Sequence, residues 1–151
     1  MLSKDLGQQF SLWTDLVDDA LPDVIQEPGV YVFRLKGGTT FGRLKGTSDI
    51  LYIGQTENAL RNRIRQYLHP GPTQWTNKRV NEFMNRYLLE FAWAKDGNPR
   101  AKEHELLRSY LRDHDELPPL NHKDEKTIVE WTSDTITVRD DVVAWVERGK
   151  K

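Results

Sequence analysis

The chain contains no cysteine, which excludes a disulfide framework, a thiolate-held zinc and a cysteine nucleophile together. Long apolar runs are missing as well. No stretch approaches the roughly 20 residues of a bilayer-spanning helix, and the N-terminus has no basic segment followed by an apolar block. The expectation is a cytoplasmic protein without membrane contact. Net charge is almost absent, -1 over 151 residues, so bulk electrostatics do not hold the chain on nucleic acid. The charges are nevertheless unevenly placed. Residues 1–27 carry one Lys against six Asp or Glu, residues 61–112 eleven Lys or Arg against five acids, and residues 113–151 ten acids against six basic side chains. A basic centre sits in an acidic frame. Hydrophobic residues make up 37% and charged residues 30%, with five each of Trp, Tyr and Phe. That is bulky material for one core of a folded chain.

Periodicity predicts an N-terminal amphipathic helix over residues 4–21, with Leu6, Phe10, Trp13, Val17 and Leu21 at steps of three and four and Ser3 as its cap. Residues 30–35 and 50–53 read as paired strands. The connection between them is too long for a tight hairpin, and its Arg43 and Lys45 are placed to touch a ligand. Helices follow over residues 58–68 and 77–86. Leu89, Phe91 and Trp93 alternate with Glu90, Ala92 and Ala94, the period of a third strand half-buried against helices. Asn98-Pro99 starts a helix that runs to about residue 114. Short strands over 128–131 and 135–138 and a helix capped by Asp140 complete the chain. The expected fold class is α+β, a small central antiparallel sheet of three strands flanked by helices. An N-terminal helical extension (residues 1–27) and a C-terminal strand-strand-helix extension (residues 123–151) pack around a central domain over residues 28–122.

Two short motifs, Gly29-Val30-Tyr31 and Tyr52-Ile53-Gly54, put two tyrosines on neighbouring strands, and the run Leu60-Arg61-Asn62-Arg63-Ile64-Arg65 follows them. Hydrolysing a phosphodiester needs a positioned water, a proton acceptor, positive charge on the phosphate and usually a divalent metal. Residue types for each are present. A phenol titrates near pH ~10, so Tyr31 or Tyr52 needs a nearby cation to act as a base and otherwise orients the water. A guanidinium binds two phosphate oxygens at once. The helical wheel places Arg61 and Arg63 about equally beside the apolar stripe and Arg65 further out. Glu103, Leu106, Leu107 and Tyr110 share one helix face, so Glu103 points inward. An unpaired carboxylate there is costly and calls for a metal ion or an arginine. Glu105 falls on the face of Arg108, Ser109 and Arg112, where an i, i+3 pair with Arg108 accounts for it.

In this order, Gly29-Val30-Tyr31, Tyr52-Ile53-Gly54, Arg63, Glu103 with Leu106-Leu107, and Pro118-Pro119-Leu120-Asn121 resemble the catalytic domain of the GIY-YIG nuclease family, across about residues 28–121. The resemblance implies cleavage of DNA with Mg2+ or Mn2+, leaving a 5′-phosphate and a 3′-hydroxyl. It puts Tyr31 and Tyr52 near the attacking water, Arg63 on the phosphate, Glu103 on the metal and Asn121 among the residues that build the site. An aromatic or His four residues after the arginine belongs to the pattern, and Tyr67 fills that place. Arg63 lies one residue further from Gly54 than in many relatives, and the stretch from Glu103 to Asn121 is longer. Arg61 and Glu105 therefore stay open as alternatives.

Either motif alone is ordinary strand sequence; the ordered set carries the reading. The arginine run lacks the interspersed acids of a solvated face, so Arg61 and Arg65, with Lys78 and Arg79, are expected on nucleic-acid phosphates and Trp75 against a base. Trp13 and Trp93 read as core. His69, His104, His114 and His122 match no compact zinc spacing. Target choice falls to loops, the terminal extensions, a homodimer or a partner protein. The competing reading is a module that keeps the fold and binds nucleic acid or protein without cutting.

Overall fold

The segment Gly-Val-Tyr-Val-Phe-Arg-Leu forms β2 (Gly29–Leu35), and so nearly continuous an apolar string suits a strand covered on both faces. In the computed structural model, which describes residues 9–121, β2 lies inside an antiparallel sheet. β5 (Ile50–Thr56) pairs with one of its edges and β6 (Leu89–Lys95) with the other. Side chains alternate across β2. Tyr31, Phe33 and Leu35 join one core cluster, Val30 and Val32 the other. The first cluster lies under α1 (Leu60–Leu68) and α2 (Trp75–Met84), the second under α3 (Pro99–His114). Helices thus cover both faces of the sheet.

The sheet has a fourth strand, β1 (Thr14–Asp15), so its order is β1-β6-β2-β5, where three strands were expected. β1 occupies part of the segment predicted to be an amphipathic helix. Residues 9–28 form no α-helix; β1 pairs with Phe91 and Glu90, and a 3-10 helix follows at Asp18–Asp23 with Pro22 inside it. Tertiary pairing overrides the apolar period. The Ser11 N–H donates to the Trp93 carbonyl at 2.8 Å and the Leu16 N–H to the Leu89 carbonyl at 3.0 Å. Leu16, Ala20, Leu21 and Val24 are buried, while Val17, expected inward, is 46% exposed. Trp13 lies under the Arg34 guanidinium, 3.9 Å from its ring centre. The expected elements at 128–131, 135–138 and from Asp140 onward lie outside the described residues.

The β2–β5 connection contains a two-stranded ribbon, β3 (Phe41–Gly42) with β4 (Thr47–Ser48). Its Arg43 is not held out for a ligand as expected. The Arg43 Nη2 lies 2.7 Å from Glu116 Oε1 and donates to the Leu117 carbonyl, and the Lys45 carbonyl meets His114 Nδ1 at 2.9 Å. These contacts dock the ribbon on the end of α3. That helix begins as predicted, with Pro99 in its first turn and the Asn98 side chain accepting from the Ala101 N–H. α1 has no side-chain cap. Instead Leu60 N–H donates to the Glu27 carbonyl and Arg61 N–H to the Ile25 carbonyl, so the linker ahead of β2 satisfies the open donors of the first turn. No helix among the described residues is long and apolar enough to cross a membrane.

Candidate active site

Tyr31 and Gly54 are direct partners across β2 and β5. A Cβ on residue 54 would lie 2.5 Å from both Cζ and Oη of Tyr31, so only glycine lets the phenol lie across β5. Gly29 has a similar reason, since its Cβ would run into the Ala94 carbonyl and Leu60. The glycines of both motifs are thus places where another group comes close to the backbone.

Beyond Gly54 the Tyr31 hydroxyl meets the Tyr67 hydroxyl from α1 at 2.7 Å. Tyr52 completes a group of three phenols, with ring centres 6.1 Å from Tyr31 and 5.8 Å from Tyr67. Phe33 packs edge-on against Tyr67. Register slips between Phe33 and Arg34, leaving Leu51 as an extra residue between Ile50 and Tyr52. Through this bulge both Leu51 and Tyr52 pack on the α1 side of the sheet. Tyr31 and Tyr67 are buried, whereas Tyr52 is half-buried, so Tyr52 is the phenol at the mouth of the group.

Burial pushes all three phenols up. For Tyr31 burial is joined by the neighbouring Tyr52 and offset in part by the Tyr67 hydrogen bond and the charge of Arg63. Burial also dominates at Tyr52; the Tyr67 hydrogen bond and Arg63 work against it and Glu103 adds to it. Tyr67 is raised by burial and then by its two phenol neighbours. All three stay protonated at neutral pH in these surroundings.

Arg63 from α1 and Glu103 from α3 both act on Tyr31 and Tyr52, although the two helices cover opposite faces of the sheet. Glu103 is 7% exposed and Arg63 half-buried. The arginines that the helical wheel left equivalent are separated. Arg61 donates from Nε to the Val24 carbonyl at 2.9 Å and from Nη2 to the Pro22 carbonyl at 3.0 Å, which ties α1 to the 3-10 helix, away from the phenols. Arg65 is exposed. Glu105 is solvent-facing and pairs with Lys102 at 3.5 Å.

Asn121 stands at the edge of β5. Its Oδ1 accepts from Ile53 N–H at 2.9 Å and its Nδ2 donates to the Ile53 carbonyl at 2.8 Å. Both ends of the amide are therefore used on the backbone beside Tyr52. Lys78 donates to the Pro72 carbonyl at 2.6 Å. Arg79 borders a groove of about 430 Å³ with Glu82, Phe83, Asn85, Arg86, Tyr87 and Leu120; sequence reading did not single out Arg86 or Tyr87. The side chain of Trp75 lies outside the described residues, as does His122. His69 sits 2.8 Å from Asp18. Among the described residues no group of three or more His, Asp or Glu could hold a metal ion.

Tyr67 was not among the predicted site residues by itself. Its signal was present, because four residues after Arg63 place it one turn further along the same helix face.

No protein-family model matches the chain, and no curated protein does. Among solved structures, the chain is similar to the N-terminal GIY-YIG endonuclease domain of UvrC from Thermotoga maritima, in a tyrosine-to-phenylalanine point mutant bound to its catalytic divalent cation. The two share 23% identity over 71% of this chain and 100% of that one, with a TM-score of 0.42.

Proposed function

We propose that this chain is a metal-dependent endonuclease that hydrolyses phosphodiester bonds in DNA. What supports the reading is the cluster of Tyr31, Tyr52 and Tyr67, whose electrostatic surroundings include the charge of Arg63 from one layer and of buried Glu103 from the other.

Glu103 would hold the cation. The donor set fits a hard divalent ion, since Mg2+ is commonly bound by one or two carboxylates with the rest of its shell left to water. Without cysteine or a histidine group the site does not suit structural zinc. When bound, Mg2+ or Mn2+ supplies Lewis-acid polarisation of a phosphate oxygen and a lower pKa for the attacking water. Tyr52, half-exposed, orients that water through its hydroxyl, while Tyr31 and Tyr67 hold the Tyr52 ring from behind. Arg63 takes two non-bridging phosphate oxygens and balances the charge that grows on them. The attack forms a new phosphorus–oxygen bond to water and breaks the bond to the 3′ oxygen. The attacking water gives up one proton and the departing oxygen takes one up, both exchanged with solvent, so that oxygen leaves as a hydroxyl and the other end carries a 5′-phosphate.

Arg65 and Arg79, both exposed, would meet phosphates further along the strand. Arg61 and Asn121 would act on the site through the backbone they hold. The working compartment is proposed to be cytoplasmic. A homodimer or a targeting partner would add recognition surface.

Incubating the protein with plasmid, nicked, flapped and branched DNA in Mg2+ or Mn2+ tests the reading. Nicked or cut products with ligatable 5′-phosphate ends are expected, and Glu103→Ala should bind DNA without cutting it. Intact DNA under conditions where wild-type protein binds it would overturn the assignment in favour of a binding module.

A further inference from the structure

Gln55 follows Gly54 in β5, and its Oε1 is fully enclosed. Among the described residues it is the only enclosed side-chain atom that solely accepts and has no hydrogen bond. Buried acceptors are almost always satisfied, so one that is not calls for an explanation.

Its place in the fold supplies one. Along β5, Tyr52 and Gly54 meet the phenol side of the sheet, whereas Ile53 packs with Leu106, Leu107 and Tyr110 on the α3 side. Gln55, two residues after Ile53, projects to that same side. α3 runs back along β5. Its first turn is tied to the strand's far end by Arg100 and Glu57 at 3.6 Å, and its last turn meets Lys45 ahead of the strand. Moving three residues along the helix from Arg100 reaches Glu103, roughly 4.5 Å on. Moving two residues back along the strand from Glu57 reaches Gln55, roughly 6.6 Å on. Glu103 therefore lies on the stretch of α3 that passes β5 near Gln55, and its charge is felt by Tyr52 and by Tyr31, the cross-strand partner of Gly54.

We propose that Gln55 Oε1 is the second protein oxygen on the divalent cation that Glu103 holds. A cation satisfies an acceptor-only atom without any donor side chain, and an amide oxygen is an ordinary ligand for a hard ion. The chemistry of the pair also suits a phosphodiester. One carboxylate and one neutral amide leave the ion a net positive charge, where two carboxylates would cancel it. The inference rests on the nuclease reading only for the choice of cation.

The test is Mn2+ binding by wild-type protein in the absence of DNA, followed by electron paramagnetic resonance and calorimetry, beside Gln55→Leu, Gln55→Glu and Glu103→Gln. Wild type is expected to bind one Mn2+ at this site. Gln55→Leu should weaken binding by roughly 10-fold or more, with metal-free thermal stability kept or raised because the unsatisfied oxygen is gone. Gln55→Glu keeps an oxygen in place and should bind at least as tightly as wild type, which guards against a Gln55→Leu protein that fails to fold. Mn2+ affinity unchanged in Gln55→Leu, or weakened in Gln55→Glu, would overturn the proposal while leaving DNA cutting by wild type unaffected. If wild type binds Mn2+ through Gln55 but cuts no DNA, the ligand assignment stands and the nuclease reading fails. If wild type holds no Mn2+, the ligand assignment fails whatever the DNA assay shows.

Discussion

Adding one methyl group at residue 54 tests the geometry of the site most directly. In Gly54→Ala the new Cβ lands 2.5 Å from Cζ and Oη of Tyr31, about 1 Å inside ordinary carbon contact. The phenol cannot yield easily. Tyr31 is 1% exposed, with Phe33, Tyr67 and Tyr52 rings centred 5.4, 5.6 and 6.1 Å away. Overpacking of this kind costs about 1–3 kcal/mol. Displacing the ring also breaks the 2.7 Å bond to Tyr67, at about 1 kcal/mol more. The sum is roughly 2–4 kcal/mol, a fall in melting temperature of roughly 5–15 °C for a chain of this length. Urea unfolding followed by tryptophan fluorescence measures it. Two further variants isolate the cause. Gly42 has open space around its Cβ position, so Gly42→Ala should be neutral or slightly stabilising. Tyr31→Leu removes the colliding atoms, and in that background Gly54→Ala should cost less than about 0.5 kcal/mol. A Gly54→Ala protein within about 0.5 kcal/mol of wild type, or a cost that persists in Tyr31→Leu, would refute the close-approach argument.

Arg61→Ala and Arg63→Ala should part company. Losing the two carbonyl contacts of Arg61 is expected to destabilise by about 1–3 kcal/mol, whereas Arg63→Ala should leave the unfolding midpoint nearly unchanged and lower cleavage at least 100-fold; the reverse pattern would exchange their roles. Glu116→Ala strands Arg43, whose side chain is 11% exposed, and should cost about 2 kcal/mol as seen by chemical denaturation, with increased proteolysis in the ribbon between β2 and β5. Alkaline pH should destabilise the protein. The phenols of Tyr31, Tyr52 and Tyr67 are raised above the unfolded value of about 10. Below that value both states keep these protons, and above it the unfolded chain releases them first, so stability falls as pH rises. Urea midpoints from about pH 8 to pH 11 should show the fall, and Tyr67→Phe should flatten it.

The sequence was most legible where local chemistry and tertiary demand agreed. The apolar string of β2, the alternation of β6 and the Asn98-Pro99 start of α3 each had one consistent reading, and the structure follows it. Glu103 was placed inward by helix phase alone and is buried. Failure came where a backbone found its partners far away in sequence. The apolar spacing from Phe10 to Leu21 fits a helix, yet the hydrogen bonds of this segment to Trp93 and Leu89 are fixed by β6, roughly 70 to 80 residues on. Periodicity cannot see them. Arg61 and Arg63 were equivalent for a related reason. A helical wheel records direction about one axis, whereas their separation depends on what lies at each flank, the 3-10 helix for one and the phenols for the other. The role of Gly54 was open in the sequence because a glycine in a strand marks a bulge or a close approach without saying which.

The amide of Asn121 imitates a strand, presenting one acceptor and one donor to Ile53 as a paired backbone would, while Leu120 N–H bonds to the Leu51 carbonyl at 3.0 Å. β5 is the outer strand on that side of the sheet, and open outer strands recruit other chains. Two residues of the chain after α3 therefore act as a seal that keeps a second molecule from adding to the sheet beside Tyr52. Opening that seal with Asn121→Ala should show first as concentration-dependent self-association in light scattering, before any large loss of helical signal.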